Sequence, residues 1–223
     1  MGGEQETMDH GLDGPRWPAR SGSTRSIVVM LHGYGANGAR WQAQVDAWRA
    51  VLPDTLFLAP NAPSALPDSE GRYQWRTLPA PPGVDGLASV RGNAACVDAL
   101  IDAELAQHGL CADRVVIVGF SQGAMMAMHV APRRAHEVAG LLGYSGNLAA
   151  PELLEPEMRT RPTTLLVHGD ADPLMPVQAT LDAAAALRAA GVAVQTEIVP
   201  GVAHAIDDRG TALGAGFLLR VLG

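Results

Sequence analysis

Three features of this 223-residue chain predict an α/β domain with a mostly parallel central sheet and helices on both faces. Short, unbroken apolar runs recur along the chain. Amphipathic stretches with helical spacing lie between them. Hydrophobic residues make up 48% against 17% charged, enough for a substantial core. Strands that are apolar along their whole length are buried on both sides, as happens when helices cover a parallel sheet. At this length a single domain is expected over residues 26–223, with residues 1–25 as an N-terminal tail and first-strand region. No repeat, low-complexity tract or inter-domain linker interrupts it.

The elements follow in order. Ile27-Val28-Val29-Met30-Leu31 reads as a buried strand and ends in the Gly-rich turn His32-Gly33-Tyr34-Gly35-Ala36-Asn37-Gly38. Trp41, Val45, Trp48 and Leu52 share one face of a helix, and Leu56-Phe57-Leu58 is a second strand. Residues 60–86 are crowded with Pro and Gly and hold Tyr73 and Trp75. A connection of that length in a compact domain points to a lid or binding loop. Val90, Ala94, Val97, Ile101 and Leu105 mark a helix stopped by Gly109. Val115-Val116-Ile117-Val118 is a strand that runs into Gly119-Phe120-Ser121-Gln122-Gly123 and then a helix over 124–131, halted by Pro132. Strands are expected over 139–144, 164–167 and 194–199, with helices over 177–190 and 212–222.

Composition narrows the function. The net charge of −7 lacks the electrostatic footprint of a nucleic-acid binder or a polybasic membrane surface. All 16 basic residues are Arg, which excludes Schiff-base and Lys-general-base chemistry. Two cysteines, Cys96 and Cys111, cannot build a multi-thiolate zinc site or a disulfide framework. The first 26 residues contain no apolar h-region, Glu6 stands where a myristoylation motif needs Ser or Thr, and no window approaches a membrane span. A cytoplasmic protein without stable membrane insertion is the expectation.

The chemistry centres on Gly119-x-Ser121-x-Gly123 between a strand and a helix. In that context the serine occupies a sharp turn, with its hydroxyl at the carboxyl edge of the sheet and beside the positive end of the next helix. A serine hydroxyl is a weak nucleophile and needs a base that an acid orients. Downstream, His168-Gly169-Asp170-Ala171-Asp172-Pro173-Leu174-Met175-Pro176 follows one strand and His204 follows the last. Serine, then acid (Asp170 or Asp172), then histidine is the chain order of α/β-hydrolases. All three sites fall at carboxyl ends of predicted strands.

Four ordered blocks carry a closer resemblance: Leu31-His32-Gly33-Tyr34-Gly35, Gly119 to Gly123, His168 to Pro176, and Pro200-Gly201-Val202-Ala203-His204. Together they resemble the small carboxylesterase, phospholipase and acyl-protein thioesterase branch of the α/β-hydrolases over nearly the whole chain, without a large separate cap domain. The resemblance implies Ser121 as nucleophile, His204 as base and Asp172 as orienting acid, since the family's acid stands four residues before the proline. Asp170 then caps the turn. It also implies an oxyanion hole from the backbone N–H groups of Tyr34 and Gln122, whose side chains would matter little. Trp75 and Leu174 are implied as substrate contacts. No metal or organic cofactor is required, and the implied partners are a small-molecule ester and a second copy in a homodimer.

The function expected on this basis is hydrolysis of short to medium carboxylic esters through an acyl-enzyme. A thioesterase or lysophospholipase is the neighbouring alternative. A hydrolase-fold protein that binds a ligand without turning it over is the rival from another class, and its mark, a missing triad member, is absent.

Overall fold

A computed structural model describes residues 12–78 and 86–223 of the chain. Residues 1–11 of the tail and 79–85 of the long loop lie outside the described residues.

Seven strands form the main sheet: β1 (Arg16–Trp17), β2 (Ser26–Leu31), β3 (Thr55–Leu58), β6 (Val115–Phe120), β7 (Gly140–Tyr144), β8 (Thr164–Gly169) and β9 (Val194–Val199). Two further short strands, β4 (Ser64–Ala65) and β5 (Tyr73–Gln74), pair antiparallel within the long loop. The main sheet runs in the order β1-β3-β2-β6-β7-β8-β9. Every neighbouring pair is parallel except β1 with β3, where Arg16 faces Leu58 and Trp17 faces Phe57. The helices are α1 (Gln42–Val51), α2 (Gly86–His108), α3 (Gln122–Val130), α4 (Leu154–Glu157), α5 (Val177–Ala189) and α6 (Asp208–Leu222). Among the described residues no helix is long and apolar enough to cross a membrane.

Side-chain alternation divides the core into two layers. Ile27, Val29 and Leu31 of β2 and Val115 and Ile117 of β6 pack with Val97 and Ile101 of α2, Met126 of α3 and Leu187 of α5. Their neighbours Val28, Met30, Val116 and Val118 face the other way, onto Val45 and Trp48 of α1 and Phe217 and Leu218 of α6. The continuous apolar runs are thus buried on both sides, and each helix contributes one stripe. Trp48 and Tyr144, fully buried, pass their polar tips to α6: Trp48 Nε1–H donates to the Thr211 carbonyl at 2.9 Å and Tyr144 Oη–H to the Gly210 carbonyl at 2.9 Å. This satisfies groups that would otherwise be costly to bury.

The chain leaves β2 toward β3 on one side, whereas β6 continues to β7 on the other. Loops that diverge at such a switch leave a crevice outside the carboxyl ends of the strands. The turn after β2 and the turn after β6 flank that crevice.

Candidate active site

The turn after β6 is held by sterics on every side. Ser121 has φ 54° and ψ −118°, a left-handed conformation that a residue with a Cβ rarely adopts. Its N–H donates to the Tyr144 carbonyl on β7 at 2.8 Å, so the neighbouring strand fixes the strained residue. A Cβ at position 119 would lie 2.2 Å from the Gly123 carbonyl oxygen, and one at 123 would lie 2.0 Å from the Leu31 carbonyl oxygen. Only glycine fits at either place. The hydroxyl projects from this turn at the start of α3, where the helix presents its positive end.

Two more loops on the same edge complete a hydrogen-bonded chain. Asp172, in the loop after β8, has a fully buried side chain. Its Oδ1 accepts the N–H groups of Leu174 and Met175, both at 2.9 Å, and its Oδ2 accepts from His204 Nδ1 at 2.6 Å. Burial alone would push this carboxyl upward in pKa, but the Met175 amide, the His204 ring and the Leu174 amide together hold it below its usual range. His204, in the loop after β9, has its Nε2 2.9 Å from Ser121 Oγ. A carboxylate can only accept, so Nδ1 carries the proton and Nε2 is left to accept from the serine hydroxyl. The Phe120 ring lies 4.8 Å from the His204 ring, centroid to centroid, and limits its tilt. Asp170 Oδ1 accepts from the Gly201 N–H at 2.6 Å and so fastens the β8 and β9 loops together.

A second histidine reaches the same carboxylate. His168 Nε2 lies 3.2 Å from Asp172 Oδ2 and 3.0 Å from the Met175 carbonyl. Its Nδ1 lies 2.7 Å from Thr180 Oγ1, which also stands 2.8 Å from the Gly146 carbonyl oxygen. In the sequence His168 stands out only as the first residue of its block. Its position four residues before Asp172 was the signal available.

On the other side of Ser121 lies the turn after β2. Gly35 N–H donates to the Tyr73 carbonyl at 2.9 Å and Ala36 N–H to the Gly33 carbonyl at 3.2 Å. The backbone N–H groups of Tyr34 and Gln122 have no hydrogen-bond partner among the described residues. His32 fixes the turn from behind: the Ala62 N–H donates to its Nε2 at 3.0 Å, and its Nδ1–H donates to the Gly33 carbonyl at 2.8 Å. Burial lowers the His32 pKa to about 4, against a smaller upward pull from the Gly33 carbonyl, so the ring is neutral near pH 7.

Trp75 needs a correction. The expected substrate contact has no exposed surface and stands behind the turn, where its indole N–H donates to the His32 carbonyl at 2.9 Å and its carbonyl accepts from Asn93 Nδ2 at 2.6 Å. The loop tryptophan is a buttress because its large apolar ring is more stable in the core than on a polar rim. The Gln122 side chain is also more engaged than expected. Its Oε1 accepts from the Trp75 N–H and its Nε2 donates to the Arg76 carbonyl, both at 2.7 Å.

Between the two turns opens a cleft of about 700 Å³, with Ser121 and His204 on its wall. Trp41, Phe120, Met175 and Ile206 are among its apolar lining residues, as is Leu174, 74% exposed. Tyr34, 44% exposed, forms part of the opposite lip. Clefts of this size hold small organic ligands.

Known proteins of similar sequence and shape point the same way. The chain is 29% identical over 199 residues to acyl-protein thioesterase 1 of Neurospora crassa, covering 80% of each protein. It is 28% identical over 194 residues to esterase YpfH of Escherichia coli, covering 83% of this chain and 78% of that protein. The crystal structure of esterase PE8 superposes with a TM-score of 0.85 at 37% identity, covering 95% of this chain and 99% of that one. Acyl-protein thioesterase 2 of Zea mays shares the fold, with a TM-score of 0.76 at 23% identity over 95% of this chain and all of that one. Residues 18–218 match a family described as phospholipase/carboxylesterase, and the chain is a member of that family of α/β-hydrolases.

Proposed function

We propose that the protein hydrolyses carboxylic esters through an acyl-enzyme, with Ser121 as nucleophile, His204 as general base and Asp172 as the acid that orients it. The observation that carries this reading is the chain Ser121 Oγ to His204 Nε2 to Asp172 in a cleft beside two unspent amides. Ser121 Oγ attacks the ester carbonyl carbon while its proton passes to His204 Nε2, and Asp172 stabilises the imidazolium that results. The carbonyl oxygen gains the negative charge and accepts from the N–H groups of Tyr34 and Gln122. One such donor is worth roughly 2.7–4 kcal/mol in the transition state. The tetrahedral intermediate collapses, the carbon–oxygen bond to the alcohol breaks, and His204 returns its proton to the alcohol. Water then attacks the acyl-enzyme by the same route and releases the acid.

The acyl-protein thioesterases among the relatives favour a second reading, in which the same groups cleave a thioester. Hydrolysis rates for matched oxygen esters and thioesters of increasing acyl length separate the two. An oxygen-ester preference at short to medium chains supports the first reading, and a long-chain thioester preference supports the second. Labelling of Ser121 by a fluorophosphonate, lost in Ser121→Ala, tests the shared mechanism; a native protein that resists the probe would overturn both.

A further inference from the structure

The cleft has a charged flank that the hydrolysis steps do not use. Arg40 and Arg72 both line it, together with Asn37 and Gln44, and among the described residues no Asp or Glu lies on its wall. The two arginines come from segments stitched to one another. Arg40 N–H donates to the Asn37 carbonyl at 3.2 Å, Asn37 Nδ2 donates to the Gly71 carbonyl at 2.8 Å, and Arg72 follows Gly71 directly. The two arginines therefore lie on neighbouring stretches of backbone, and both line the cleft.

Neither guanidinium has a carboxylate partner among the described residues. Arg72 is also preorganised. Its Nε–H donates to the Gly35 carbonyl at 2.9 Å, which fixes the head beside the turn that carries the Tyr34 amide and leaves its four remaining N–H groups without a partner among the described residues. The planar fork of a guanidinium matches a carboxylate or phosphate in two-point contact. In a partly enclosed cleft lined by two arginines and, among the described residues, by no acid, the positive field also draws anionic ligands toward the serine.

We propose that Arg40 and Arg72 form an anion subsite, and that the substrate is an ester bearing a carboxylate or phosphate a few bonds from the scissile carbonyl. This rests on the ester-hydrolase reading and adds to it the class of substrate. The anion can belong to the acyl part or to the alcohol part, and matched substrates distinguish the two. On the acyl side, p-nitrophenyl hemiglutarate is compared with p-nitrophenyl valerate. On the alcohol side, butyryl glycerophosphate is compared with butyryl glycerol.

The measured quantity is the ratio of kcat/KM for the charged ester to that for its uncharged counterpart, so that any general change in activity cancels. In the wild type this ratio exceeds that of the Arg40→Gln, Arg72→Gln double variant by about tenfold or more in one of the two pairs, with about a three- to fivefold loss for each single variant. The pair that responds identifies the side. The preference falls as salt rises, because a solvent-accessible ion pair is screened. Equal ratios in wild type and double variant in both pairs would overturn the subsite while leaving the esterase reading intact. No turnover of any of the four esters would overturn both.

Discussion

His168 Nε2 lies 3.2 Å from Asp172 Oδ2, the same oxygen that His204 Nδ1 reaches at 2.6 Å, so two histidines share one buried carboxylate oxygen. The Leu174 and Met175 amides donate to the other oxygen, so the carboxylate is held from both sides. His168→Leu removes the ring nitrogen behind it. The expected result is a fall in kcat of about ten- to a hundredfold, as is typical when an outer partner of a site is lost, with little change in KM. His168→Gln places an amide N–H near the Nε2 position and recovers most of that loss. The low-field NMR signal of the His204 Nδ1 proton should shift in the Leu variant and return in the Gln variant. A Leu variant with unaltered kcat and an unaltered proton signal would remove His168 from the site.

Two buried histidines make stability depend on pH between about 4 and 6.5. Burial lowers the pKa of His32 to about 4, and burial, with the Arg133 guanidinium second, lowers that of His129 to about 4. In the unfolded chain both return to the ordinary value of about 6.5, so between these values the unfolded state binds more protons. Stability is therefore full above pH 6.5 and declines as pH falls toward 4, by up to about 3 kcal/mol for each ring. Urea unfolding at pH 7 and pH 4.5 measures the decline. His129→Leu, which replaces a ring whose buried Nδ1 has no hydrogen-bond partner among the described residues, should reduce the slope. An unchanged slope would refute the assignment.

Backbone strain at Ser121 has its own signature. Alanine at 121 keeps a Cβ at φ 54°, whereas glycine does not. Both variants lose ester hydrolysis, but Ser121→Gly should be more stable than Ser121→Ala by about 1 kcal/mol. Thermal melts compare them directly, and an alanine variant at least as stable as the glycine variant would mean that the turn carries no strain.

Gln122→Ala separates the amide from the side chain. The N–H toward the cleft survives, but the Trp75 N–H and the Arg76 carbonyl lose their partners at a cost of about 1–3 kcal/mol. Faster proteolysis within residues 74–78 and a kcat lowered by about tenfold are expected. If only the backbone of Gln122 matters, neither changes.

Much of this arrangement is legible in the sequence, and the exceptions have physical reasons. The long apolar runs reveal β2, β6 and β8 because both of their faces are buried, and block order leads to Ser121, Asp172 and His204, which meet within hydrogen-bonding distance. Strand β1 is not legible: two residues have no period, and Arg16–Trp17 is a strand only because Leu58 and Phe57 offer a free edge. The β4–β5 hairpin is hidden for the same reason within the Pro-rich loop. Helix α2 begins at Gly86, before its apolar stripe, and α6 begins at Asp208, where the Asp207 carboxylate caps it by accepting the Gly210 N–H at 2.7 Å. The burial of Trp75 and the reach of His168 to Asp172 are tertiary facts with no local pattern to announce them.

The bond from the Ser121 N–H to the Tyr144 carbonyl joins the strained turn to the middle of the sheet. The reactive corner therefore cannot loosen ahead of its scaffold. On heating, ester turnover and the tryptophan fluorescence of the folded core should disappear over one and the same temperature interval, with no inactive yet compact species between.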